Sequence, residues 1–123
     1  MGSGASVLNL NDYANESHQN NMKWWQDINT GEKIQRNKGE LIALMHSELS
    51  EALEGARKGK MDDHLPHRLS EEVELADVLI RIFDYAGAHG LDLEGAYQEK
   101  TSYNKWRQDH SHEARRAADG KKF

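Results

Sequence analysis

A chain of 123 residues with no cysteine and a single proline, Pro66, suits one domain with one modest core. Its formal net charge of -5 speaks against broad nucleic-acid binding, which draws on a basic face. Without cysteine there is no disulfide, no thiolate nucleophile and no zinc–thiolate site.

No apolar run approaches the roughly 20 residues of a membrane span. Met1-Gly2-Ser3-Gly4 lacks the apolar segment of a signal peptide, so a cytoplasmic protein with no membrane partner is expected.

The scarcity of proline and the placement of glycine between periodic segments predict an all-α fold. A first, weakly amphipathic helix is expected from about Leu10 to Ile28, carrying Tyr13, Met22, Trp24 and Trp25. Asn29-Thr30-Gly31 ends it, and Glu32 to Asn37 reads as a polar loop or a short extra turn.

The second helix, Lys38 to Arg57, has the clearest pattern. At about 100° per residue, Leu41, Leu44, Met45, Leu49, Ala52 and Leu53 share one apolar face. Glu48 falls inside that stripe and Glu51 beside it. A charged residue there is costly to bury unless paired or bound to a metal, which makes Glu48 a candidate functional residue.

A basic, histidine-bearing connection, Lys58 to Leu69, leads to a third helix from Ser70 to His89. Ser70 is the expected cap, Glu71 and Glu72 favour the first turn, and Gly90 ends the helix. Glu74 and Asp77 share its polar face with Arg81 and Asp84. Asp92 is expected to cap a fourth helix, Leu93 to Gln108, with Lys100, Asn104 and Arg107 on one face.

Glu48/Glu51 and Glu74/Asp77 are each three apart, so each pair lies on one helix face about one turn apart. Converging, the four would make an oxygen-rich site suited to a hard divalent cation such as magnesium. A phosphate substrate would account for the cationic helix downstream. The run Gly55-Ala56-Arg57-Lys58-Gly59-Lys60 is excluded as a phosphate-binding loop by its glycine spacing and by the lack of Ser or Thr after Lys60. No Glu-x-x-His pair supports a di-iron centre. The pairs His64/His67 and His110/His112 fall in expected loops.

Three blocks carry a resemblance. Leu44-Met45-His46-Ser47-Glu48-Leu49-Ser50-Glu51-Ala52-Leu53-Glu54, then Glu74-Leu75-Ala76-Asp77-Val78-Leu79-Ile80-Arg81, then Lys100-Thr101-Ser102-Tyr103-Asn104-Lys105-Trp106-Arg107 resemble the MazG-like family of all-α nucleoside triphosphate pyrophosphatases.

The resemblance implies a four-helix protomer that forms a homodimer or tetramer, as one domain over residues 5–109 with a flexible C-terminal tail over 110–123. It implies hydrolysis of nucleoside triphosphates between the α and β phosphates, with magnesium, or manganese in its place. Carried over by position, Glu48, Glu51, Glu74 and Asp77 hold the metal, with Glu48 or Glu51 as catalytic base. Lys100, Tyr103, Asn104 and Arg107 bind substrate, joined by Lys23, Trp25 and Lys38. The competing readings are a non-catalytic helical module for dimerisation or partner binding, and a hydrolase of guanosine polyphosphate alarmones on the same fold.

Overall fold

The structure, a computed structural model, describes residues 7–123, the side chain of Gln108 excepted. Met1-Gly2-Ser3-Gly4, and Ala5 and Ser6 at the start of the expected domain, lie outside the described residues. Among the described residues the protein is all-α, as expected, with α1 (Leu10–Asn20), α2 (Lys38–Lys58), α3 (Ser70–His89), α4 (Leu93–Lys105) and α5 (His112–Arg116). The only extended pairings among them are the isolated bridges Gln26 to Lys33 and Met61 to Leu69. No helix among them is long and apolar enough to cross a membrane.

Each helix starts where a side chain can take up a free backbone donor. In α1, Asn9 Oδ1 accepts from the Asp12 amide at 3.0 Å while Asp12 Oδ2 accepts from the Asn9 amide at 2.9 Å, a reciprocal capping box. That helix stops well short of the expected Ile28. The Asn21 side-chain amide donates to the Ser17 carbonyl, ending the ladder, and a 3₁₀ turn, Met22–Trp25, follows. The turn carries Trp25 into the core and leaves Trp24 outside.

Asn37 caps α2 through the Glu40 amide, and Gly59 closes it at φ 61°. In α3 the expected cap is displaced by one residue. Leu69 holds the cap position, Glu72 accepts its amide at 3.0 Å, and Ser70 is the buried first residue of the helix. Gly90, at φ 63°, ends α3 as expected.

The chain divides into two compact units, Met1–Leu91 and Asp92–Phe123. In the first, α3 packs against both α1 and α2. Its C-terminal half faces α1, where Phe83 stacks on Tyr13 at 5.6 Å and Gly87 abuts Ala14. A Cβ on Gly87 would collide with the Ala14 carbonyl and stand 2.9 Å from His18 Cβ, so this approach depends on glycine.

The pairing of α2 with α3 is antiparallel, since Glu48 meets Arg81 while Gly55 meets Ser70. The buried apolar residues are few, with Trp25, Leu41 and Val78 the largest. The apolar face of α2 is wider than its contact with α3, and Ile42, Leu49 and Leu53 remain exposed.

In the second unit Asp92 caps α4 through the Gly95 amide, as expected, and the helix ends at Lys105, before the expected Gln108. Beyond it Ser111 caps α5. Arg115 then donates to the carbonyls of Lys121 and Lys122, while Lys122 Nζ returns hydrogen bonds to the carbonyls of Arg115 and Ala117.

Candidate metal centre

The antiparallel packing of α2 on α3 sets Glu48 opposite the two turns that carry Glu74, Asp77 and Arg81. One carboxylate oxygen from each of Glu48, Glu74 and Asp77 lies within 4.8 Å of the other two. Opposite oxygens around magnesium or calcium stand about 4 to 5 Å apart, so a hard cation fits this donor set with small side-chain adjustments.

The electrostatics show what holding these carboxylates together costs. Glu74 is pushed up to about 8 from 4.5, first by burial, then by hydrogen bonding to Glu48 and Glu51, then by their charge. Asp77 is also raised, by burial and then by the charge of Glu48, with Arg81 opposing and Asp62 and Glu51 adding smaller contributions.

Arg81 supplies the local counter-charge. Its Nε and Nη2 both reach Glu48 Oε1 at 3.1 Å, and the Glu48 side chain is only 13% exposed. The charge inside the apolar stripe of α2 is thus paired, which answers the cost of placing it there.

Glu51 is exposed and stands outside the three converging oxygens. It lines a separate recess with Glu74, Lys58, Lys60 and Ser70. Asp62, in the connection before α3, accepts from the amides of His64 and Leu65, which holds it in a tight turn while it acts on Asp77.

A cleft of about 330 Å³ opens beside two members of the triad, lined by Glu48 and Asp77 together with Trp24, Arg36, Arg81 and Asp84. Asp84, two turns beyond Asp77 on α3, is anchored from behind. Trp25 Nε1 donates to its Oδ1 and Oδ2 at 3.0 and 3.1 Å, and His18 Nδ1 lies 2.9 Å from Oδ1.

Trp25, one of the expected substrate-binding residues, is therefore buried, with its indole N–H committed to Asp84. Its neighbour Trp24 presents an exposed face to the cleft, with Lys23 Nζ 5.4 Å from its ring centre. Lys38 begins α2 and lines a second cavity with Trp25.

The downstream residues Lys100, Tyr103, Asn104 and Arg107 belong to the second unit and cluster there. Lys100 and Arg107 stand 5.0 and 5.6 Å from the Tyr103 ring centre. Arg107 forks onto Asp109 at 2.7 and 3.0 Å, which holds the Asp109 carboxyl below its ordinary range. Asn104 Oδ1 is buried without a hydrogen-bond partner.

Sequence reasoning named Arg81 and Asp84 only as members of a polar face, chose Trp25 rather than Trp24 from the tryptophan pair, and missed Arg36 and Asp62 as neighbours of the site. For Arg81 and Asp84 the signal was present. They follow Asp77 at four and seven residues, the spacing that keeps side chains on one helix face. For Arg36 and Asp62, which lie in connections, no periodicity points to the cleft.

Comparison with family models, with curated proteins and with solved structures gives no match to this chain. The resemblance to the MazG-like family rests on the three sequence blocks alone.

Proposed function

We propose that the protein is a MazG-like, magnesium-dependent nucleoside triphosphate pyrophosphohydrolase, a four-helix protomer that works as a dimer or tetramer. The observation that carries the reading is the convergence of Glu48, Glu74 and Asp77, the first and last of which line a cleft that also offers Arg36, Arg81 bound to Glu48, and an exposed tryptophan. Carboxylates for a hard cation, guanidinium groups for phosphate and an aromatic face for a base are the three things a nucleoside triphosphate asks of its site. Exposed Leu49 and Leu53 on α2, with Leu75 and Leu79 on α3, support self-association of the helices.

Glu48, Glu74 and Asp77 would hold the cation. A divalent cation held by them would supply Lewis-acid chemistry, making a water more acidic and offsetting phosphate charge. Glu51, outside the triad yet next to Glu74, is the carboxylate left to accept the water proton. Arg36 lies in the cleft free of any carboxylate partner among the described residues and is placed to hold phosphate oxygens. Attack of the water oxygen on the α-phosphorus breaks the bond to the α,β-bridging oxygen. The products are a nucleoside monophosphate and pyrophosphate.

The test is pyrophosphate release from a panel of ribo- and deoxyribonucleoside triphosphates with magnesium. Turnover is expected in the wild type. Glu48→Gln should lose both metal binding and turnover, whereas Glu51→Gln should lose turnover and keep the metal. Silence across the whole panel, with magnesium bound, overturns the hydrolase reading and favours a non-catalytic helical module.

A further inference from the structure

Beside the acidic cleft lies a second cavity, of about 310 Å³, with the opposite charge. His18 from α1, Trp25 from the 3₁₀ turn, Lys33, Arg36 and Lys38 from the following connection and the start of α2, and His89 from the end of α3 converge on it. No carboxylate is among its lining residues.

Among the described residues, Lys33, Arg36 and Lys38 form no ion pair, in a protein of net charge -5 with acidic groups to spare. The carboxylate that touches this lining, Asp84, is taken up by His18 and Trp25 behind the cavity, so the three cations repel one another and the arrangement becomes favourable when an anion fills it.

The floor holds Arg36 and the two histidines in place. Arg36 lies over the Trp25 ring at 5.4 Å. His18 and His89 pack edge-on against the same ring at 5.3 and 5.8 Å. Both imidazoles have Nδ1 engaged, His18 with Asp84 and His89 with the Tyr85 carbonyl, and their Nε2 atoms have no hydrogen bond shown among the described residues. Lys38 is the first residue of the 21-residue α2, so the positive end of that helix dipole stands at the rim.

We propose that this cavity is a binding pocket for a phosphate chain, either free inorganic pyrophosphate or tripolyphosphate, or the terminal phosphates of a nucleotide. Two lysines and an arginine converging from separate backbone positions match an anion with several charged oxygens better than a single carboxylate. Arg36 lines both this cavity and the acidic cleft, so a phosphate chain lying across it reaches from one to the other.

The pocket draws on no metal, which separates it experimentally from the acidic cleft. Calorimetric titration of the full chain with pyrophosphate and with tripolyphosphate, in EDTA and at fixed ionic strength, should show saturable binding. The double variant Lys33→Ala/Lys38→Ala, with its helical circular dichroism unchanged, should bind about tenfold or more weakly. Glu48→Gln should bind as the wild type does. Absence of saturable binding, equal affinity in the double variant, or a loss confined to Glu48→Gln overturns the proposal.

Competition then identifies the source. Pyrophosphate and a nucleoside triphosphate displace each other if the pocket takes the nucleotide's own terminal phosphates. They bind together if it takes a separate phosphate chain, and either pattern supports the pocket. None of these measurements uses turnover, so they stand or fall apart from the hydrolase reading.

Discussion

Loading the acidic cleft with a divalent cation should expel a proton, and the number can be worked from Glu74. Its carboxyl, part-buried against Glu48 and Glu51, titrates at about 8. A group with that pKa is about nine-tenths protonated at pH 7 and about one-tenth at pH 9. Cations bind carboxylate rather than carboxylic acid, so magnesium binding should release about 0.9 proton from Glu74 at pH 7 and about 0.1 at pH 9. Asp77, also raised, acts in the same direction.

Calorimetric titration of magnesium in two buffers of equal pH and different ionisation enthalpy reads the proton number from the difference in heat. Magnesium binding at pH 7 with a heat independent of the buffer would refute the reasoning.

The same shift sets the sign of the pH dependence without metal. Between about pH 4.5 and 8 the folded chain holds a proton on Glu74 that the unfolded chain has lost, so stability falls as pH rises through that window. In EDTA, Tm should be higher at pH 5 than at pH 8, and magnesium should narrow the gap.

Arg81→Met removes the cation paired with Glu48. Thermal melts in EDTA should show a loss of about 1 kcal/mol, small because the arginine is part-exposed, and magnesium should then give a larger rise in Tm than in the wild type. Gly87→Ala drives a methyl into the Ala14 carbonyl and should cost about 1–3 kcal/mol in urea denaturation, since backbone has to move to relieve it. Trp25→Phe takes away the indole donor to Asp84 and should cost about 1.5–3 kcal/mol by the same assay.

How far the sequence could be read depended on whether the controlling contacts were local. The span of α2 was legible from its apolar period to within a residue, and the end of α3 from Gly90. The end of α1 was not. The Asn21 side chain closes the ladder on Ser17, and the tryptophans beyond it belong to a turn whose reason for existing is the packing of Trp25 against His18, Asp84 and His89.

Glu48 stood out because an apolar stripe surrounds it, yet its partner Arg81 lies 33 residues away on another helix, beyond any local pattern. For Glu74 and Asp77 the helical wheel offered only a polar face, and it takes the packing of α2 on α3 to bring their oxygens to Glu48. The cationic cavity draws on residues from His18 to His89, of which the resemblance had named only Trp25 and Lys38.

The position of α3 between its two partners bears on how the chain is made. α1 and α2 both find their packing surface on α3, which is the last of the three to be synthesised. A nascent chain that has reached only Gly59 holds two amphipathic helices and neither of their docking surfaces. Such a fragment has little apolar surface it can bury, and the acidic cleft has only one of its walls. Folding of the first unit should therefore wait until about residue 90 has left the ribosome, and then engage both helices together. A series of stalled nascent chains probed by protease would show this as one abrupt gain of protection.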